Sequence, residues 1–181
     1  IADLFEACAD LGFLADPLEA AEFAAKLLIE SMPCRACVVS FYDIDASELV
    51  AVRQVVASGT VTDPQASMLM SRLSEKSHGL AEVLRRSKTV LATARDYAGD
   101  RRIEALGGAV KSAIRSPLNY AGRYLGLIEL FDPLDERPFS EADTHAVHYV
   151  AEQLVEFLQQ REVVLDEAKV LRPRLAELAR V

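Results

Sequence analysis

Ser112-Ala113-Ile114-Arg115-Ser116-Pro117-Leu118-Asn119-Tyr120-Ala121-Gly122-Arg123-Tyr124-Leu125-Gly126-Leu127-Ile128-Glu129-Leu130-Phe131 is the stretch whose reading decides the fold. Two apolar runs, Lys111–Leu118 and Tyr124–Phe131, flank a short turn containing Gly122, the pattern of a β-hairpin. Arg115 and Glu129 are the charged exceptions inside the two strands. If the turn is a three-residue loop, Ala121 to Arg123, residue 115 faces 129 and the two charges are cross-strand partners. A two-residue turn places them on opposite faces. One reading of the pair is a structural ion pair, and the other is a polar wall of a ligand pocket.

After the hairpin, Pro133 and Pro138 bracket a loop, and Ser140-Glu141-Ala142-Asp143 starts a helix with Ser140 as its cap. Val147, Val150, Leu154, Phe157, Val164, Ala168, Leu171, Leu175 and Leu178 then occupy the a and d positions of one heptad register, broken only by Arg161. Pro173 kinks or ends this helix locally. Before the hairpin, residues 59–110 are irregular, with helices expected near Gln65–Leu73, Leu80–Arg86 and Arg101–Leu106, and Gly107-Gly108 as a turn. Arg85, Arg86 and Lys88 fall at the end of the second of these helices, where cations complement its dipole. Val38–Tyr42 and Leu49–Ala57 read as strands, apolar at consecutive positions as in a sheet covered on both faces. Ile1, Leu4, Cys8 and Leu11 form a helical stripe, and a second helix runs from Leu18 to about Met32 after Asp16-Pro17.

This order of elements resembles the GAF domain family. The likeness is carried by Ser116-Pro117-Leu118, the turn Tyr120-Ala121-Gly122-Arg123, Leu125-Gly126-Leu127-Ile128 and Arg137-Pro138-Phe139-Ser140-Glu141-Ala142-Asp143. The family's hairpin commonly reads Pro-Leu, a Gly turn, then Ile-Gly-Val-Leu, and its last helix commonly opens Phe-Ser-Glu-Glu-Asp. The resemblance implies an α/β (α+β) fold: an antiparallel sheet with helices on both faces, and flanking N- and C-terminal helices forming a dimerisation bundle. It also implies a small-molecule pocket roofed by the variable middle segment. On this reading residues 1–14 are an N-terminal amphipathic helix, 15–160 the GAF-like domain and 161–181 a coiled-coil or linker helix. Family members bind cyclic nucleotides, tetrapyrroles, haem or amino-acid-like effectors, or nothing known, and usually regulate an output domain of the same chain.

The chain has 181 residues, 51% hydrophobic, with 28 acidic and 20 basic residues for a net charge of -8. That length suits one domain with flanking helices. Nucleic-acid binding needs a basic surface, so the charge argues against DNA, and equally against an anionic membrane. No apolar run approaches the ~20 residues that span a bilayer. The start at Ile1 is expected of a piece of a longer protein. Three cysteines, Cys8, Cys34 and Cys37, make no disulfide framework and fit a reducing, cytoplasmic setting.

Catalytic and metal chemistry find little purchase. Cys34-Arg35-Ala36-Cys37 follows a helix and precedes a strand, the reverse of a redox CxxC, and zinc would need two further ligands. His145 and His148 lie three apart on the last helix without a third ligand, so a solvated face or a helix contact is favoured over a metal. No nucleophile elbow, P-loop or HExxH is present. The family's methionine sulfoxide reductases carry cysteines on pocket loops, whereas 59–131 here has none.

No catalytic residue, metal ligand or identified cofactor is therefore expected. The expected ligand-contacting residues are Arg115, Glu129, His78, Tyr97 and Met68, with Arg101, Arg102 and Met70 contributing to an adaptable roof. The expected dimer interface comprises Leu4, Leu11, Val147, Leu154, Phe157, Val164 and Leu171. Two functions compete: a non-catalytic sensory module, homodimeric, binding a cyclic nucleotide, tetrapyrrole or amino-acid-like effector, and a dimerisation scaffold without ligand.

Overall fold

The computed structural model describes residues 2–57, 72–74, 76, 79–106 and 109–160. The chain opens with α1 (Ala2–Cys8), which tightens into a 3-10 turn over Ala9–Phe13 where Asp10 and Gly12 disfavour a continued α-helix. Asp16 caps α2 (Pro17–Ser31), its carboxylate accepting from the Leu18 N–H at 2.7 Å, with Pro17 at the first helical position. There follow β1 (Cys34–Asp43), β2 (Glu48–Val56), β3 (Arg72–Ser74), α3 (Leu80–Arg86) and β4 (Val90–Thr93). Two 3-10 turns, Ala94–Tyr97 and Arg101–Leu106, lead to β5 (Ser112–Tyr120), β6 (Arg123–Pro133) and α4 (Glu141–Gln160).

The six strands form one sheet in the order β3-β2-β1-β6-β5-β4, and every neighbouring pair is antiparallel. Its two faces differ in kind. Cys37, Val39 and Phe41 of β1, Val50, Val52 and Val55 of β2, Ile114 and Leu118 of β5, and Ile128 and Leu130 of β6 pack with α1, α2 and α4 into the main core. The opposite face carries small side chains, Ala36, Ala51, Ala92 and Ala113, with Val38 and Phe131 among them. Tyr97, Leu106, Val110 and Ile103 cover this second face, and α3 closes its far end by setting Leu80 against Leu49, Leu73 and Leu127.

The hairpin register resolves the two alternatives in an unexpected way. Tyr120 pairs with Arg123, so the turn is the two-residue Ala121-Gly122, both with positive φ (49° and 78°). A bulge between Leu118 and Asn119 then inserts Leu125 into β6, and Arg115 faces Glu129 after all. Neither alternative holds as stated: the turn has two residues, yet the charges are cross-strand partners because the bulge shifts the register by one. Just past the bulge, a Cβ on Gly126 would overlap the backbone carbonyl of Ser40 on β1, so the neighbouring strand requires glycine at this position.

Other expectations need correction. The stretch expected as the end of a helix, Arg72–Leu73, lies in β3, because Leu73 buries beside Leu49 and Arg72 reaches Asp43 and Glu48; the rest of that expected helix, like Gly107-Gly108, lies outside the described residues. Strand β4 was not anticipated, although Thr89, Val90 and Thr93 give it β-branched character. Strand β1 is longer than Val38–Tyr42 because β2 pairs with it back to Ala36 and β6 back to Cys34. The expected cap of the last helix forms in full: Ser140 Oγ accepts from the Asp143 N–H (3.3 Å) and the Asp143 carboxylate accepts from the Ser140 N–H (2.8 Å).

Leu4, Leu11, Val147, Leu154 and Phe157 are all buried within the chain's own core, where α1, α2 and α4 pack on one another and on the sheet. Their helical stripe thus records intrachain burial, and they are covered without a second copy. Val164 and Leu171 lie outside the described residues.

Replacing Gly126 by Ala should lower unfolding free energy by about 1–3 kcal/mol, the usual cost of overpacking. Urea denaturation monitored by circular dichroism measures this, and an unchanged midpoint would contradict the close approach of β6 to β1.

Candidate functional site: a buried charge cluster on the small-residue face

Alternation along β5 and β6 sends Arg115 and Glu129 to the small-residue face, each only 1% exposed. Glu129 lies in a row across the sheet, between Val38 of β1 and Arg115 of β5, with Gln54 of β2 next to Val38. A carboxylate so placed needs partners, since an unpaired buried charge is prohibitive.

The two 3-10 turns supply them. Arg102 donates from Nη1 to Glu129 Oε1 (2.7 Å) and from Nη2 to Oε2 (3.2 Å), the bidentate fork that guanidinium geometry favours. Its Nε and Nη2 donate to Asp100 at 2.9–3.2 Å. Tyr97 donates its hydroxyl proton to Glu129 Oε2 (3.0 Å), and the Tyr97 hydroxyl oxygen in turn accepts from Arg115 Nε (3.0 Å). The Arg115 guanidinium also stands 4.1 Å from the centroid of the Tyr97 ring, a cation–π contact, and that ring meets Phe131 edge-on at 5.4 Å. Arg115 Nε lies 3.6 Å from Glu129 Oε2. Two carboxylates and two guanidinium groups therefore balance one another around one phenol.

Burial pushes the Glu129 carboxyl up, but the charge and hydrogen bonds of Arg102, the charge of Arg115 and the Tyr97 hydroxyl outweigh it and hold the group below the ordinary glutamate range. Burial and the nearby Glu129 charge both push the Tyr97 phenol well up, so it stays protonated as a donor. Burial alone would favour loss of the Arg102 proton, but Glu129 and Asp100 more than reverse that.

Of the residues expected at the ligand, Arg115, Glu129 and Tyr97 are brought together, while His78 and Met68 lie outside the described residues, as does Met70. Arg102, expected only as part of the roof, is central to the cluster, and Asp100 was missed. The signal for Asp100 was its spacing two residues before Arg102, which allows a turn to fold the carboxylate back onto the guanidinium. The cysteines stand elsewhere: burial pushes Cys8 up to about 11, Cys34 up to about 12 and Cys37 well above the ordinary thiol range. Among the described residues no group of three or more His, Cys, Asp or Glu side chains is arranged to hold a metal ion, and no helix is long and apolar enough to cross a membrane.

The chain belongs to the GAF domain family, whose profile matches residues 16–156. Its fold is shared with many solved structures at low sequence identity. The GAF domain of a phosphoenolpyruvate-protein phosphotransferase (ptsP) from Coxiella burnetii is 16% identical, with 88% of this chain and 92% of that one covered and a TM-score of 0.69. Free methionine-R-sulfoxide reductase from Neisseria meningitidis, solved with its substrate, is 18% identical over 88% and 87% of the two chains, TM-score 0.67. The far-red absorbing dark state of JSC1_58120g3 with bound biliverdin IXa is 15% identical over 88% and 98%, TM-score 0.66. No curated protein matches the sequence. As a GAF domain, the chain is of a class of sensory and regulatory modules found in signalling proteins.

Because the folded-state pKa of Glu129 lies below its unfolded value of about 4.3, its stabilisation is present above that pH and is lost as the pH falls through the folded value. Glu129→Gln should therefore destabilise most at neutral pH, by about 3–5 kcal/mol as for a broken buried ion pair, and the gap to wild type should narrow by pH 3.5. Urea titrations at both pH values measure it; a gap that widens in acid would contradict the assignment.

Proposed function

We propose that this domain is a non-catalytic sensor that binds a small molecule on the small-residue face of its sheet. The observation that carries this reading is the Glu129 cluster. Buried ionic networks rarely stabilise more than apolar packing of the same volume, so four charges on one sheet face suit a site that recognises polar groups of a ligand. Two further features support it. The floor of that face is built of alanines, and its cover is made of short 3-10 turns, elements cheaper to displace than the helices on the other side. Bound biliverdin in one structural relative and a bound substrate in another make a small-molecule role reasonable for this fold. The effector classes we favour are cyclic nucleotides, tetrapyrroles and amino-acid-like compounds.

Catalysis of the methionine sulfoxide reductase kind is disfavoured by the thiols. Cys8, Cys34 and Cys37 are buried, and thiols this hard to ionise are poor nucleophiles. The second reading, a scaffold with no ligand, draws support from the closure of the cluster: Glu129 is satisfied by Arg102, Arg115 and Tyr97 without any added group.

A thermal-shift screen of wild type and Arg115→Ala against those three effector classes separates the readings. A sensor should show a rise in Tm with at least one compound, lost or reduced in the variant; uniform failure across the panel favours the scaffold. Homodimerisation belongs to both readings, and sedimentation at micromolar concentration should give a dimer. With the heptad positions of α4 covered internally, Phe13 on the first 3-10 turn, 87% exposed, is among the described residues the large apolar side chain most open to a second copy. A monomer would remove pairing from either reading.

A further inference from the structure

On the face opposite the charge cluster, a chain of side-chain hydrogen bonds joins the sheet to α4. Ser116, fully buried on β5, has its Oγ 2.7 Å from Thr89 Oγ1. Thr89, just ahead of β4, lies 3.2 Å from Nδ1 of His148 on α4. The other ring nitrogen, Nε2, stands 3.1 Å from Glu152 Oε1 one turn further on. Four side chains thus run from the sheet interior to solvent without a gap.

The chemistry of the links makes the chain directional. A hydroxyl donates once, and a neutral imidazole donates from one nitrogen and accepts at the other. With Nε2–H given to Glu152, Nδ1 accepts from Thr89, so Thr89 must accept from Ser116. A second proton turns Nδ1 into a donor. Thr89 then accepts from the ring, which frees its own proton to be donated to Ser116, and in that arrangement the Ser116 hydroxyl proton loses its partner. Ser116 is the chain neighbour of Arg115, and strand alternation points the two side chains through opposite faces of the sheet. Arg115 touches Tyr97 and Glu129.

We propose that this relay is a proton-responsive switch: proton uptake at His148 reverses the Thr89–Ser116 hydrogen bonds and is felt by β5 at Arg115. Histidine is the side chain whose ordinary titration falls between about pH 5 and 8. The described charges bordering the relay come from two elements. Glu141, His145, Glu152 and Glu156 lie on α4, and Lys88 lies on the loop that carries Thr89; α1 contributes the uncharged Phe5. The switch works with or without a ligand on the other face, so it stands or falls separately from the sensor reading.

The test is a pH titration of the 15N-labelled chain by NMR from pH 8 to pH 5, reading the His148 ring and the Arg115 and Ser116 amides. In wild type the amides should follow the ring with one midpoint. Thr89→Val, which keeps the shape and removes the hydroxyl, should leave the ring titrating while the amide shifts fall at least fivefold. Should that variant fail to fold, Ser116→Ala cuts the same chain one link further in and should give the same decoupling at Arg115. His148→Gln should abolish the β5 response altogether. Amides that ignore the ring in wild type, or that still follow it after Thr89→Val or Ser116→Ala, would overturn the proposal, since the field of the imidazolium alone would then account for them.

Discussion

A negative charge in the middle of the sheet constrains the rest of this domain. Glu129 sits on β6, between β1 and β5, where no water reaches it and backbone groups are committed to their ladders. It can remain ionised only if cations are brought against it. Arg115 comes from the adjacent strand by register alone, whereas Arg102 must be carried in by the chain between β4 and β5. That need accounts for the form of the segment: Thr93 and Asp96 cap the first 3-10 turn, and Asp100 fixes the guanidinium of Arg102 before it reaches Glu129. The turns are thus fastened to the sheet by charge as well as by the apolar side chains of Tyr97, Ile103 and Leu106.

The faces of the sheet divide the labour accordingly. Val, Ile, Leu and Phe side chains pack against α1, α2 and α4, giving the rigid side. Alanines and the charge cluster face the short turns, with a smaller apolar cluster around Tyr97, Leu106 and Phe131. A single strand, β5, presents Arg115 to one side and Ser116 to the other, so the two halves of the domain share a backbone where their polar groups are closest.

Much of this was legible in the sequence because hydrophobic period and turn chemistry are local signals. The hairpin, α2 and the capping box at Ser140 all follow from spacing within some twenty residues, whereas the pairing of Arg115 with Glu129 was open between two registers and is settled by the bulge. What escaped is non-local. The bulge at Leu125 answers to the close approach of Ser40, almost ninety residues earlier, and no pattern in the hairpin itself announces it. Strand β3 depends on Leu49 and Glu48 as partners. The apolar stripe of α4 reads equally well as a coiled-coil seam or a core face, since the same a and d positions serve both; the neighbourhood of α2 and the sheet decides for the core over Val147–Phe157. Asp100 was overlooked because its carboxylate has meaning only once Arg102 is known to be buried.

The strand order carries a consequence for biosynthesis. The inner strand β1 is made early, yet one of its two flanking partners, β6, begins at Arg123, and the α4 face that completes the core follows later still. Most of the chain must leave the ribosome before the sheet can close over its centre. Until then β3, β2 and β1 form at most a three-stranded sheet with an apolar face and an open edge at β1, a form prone to pair with the wrong strand. The decisive step of folding therefore waits on β6 and α4, and its speed is set by a long-range closure more than by any helix.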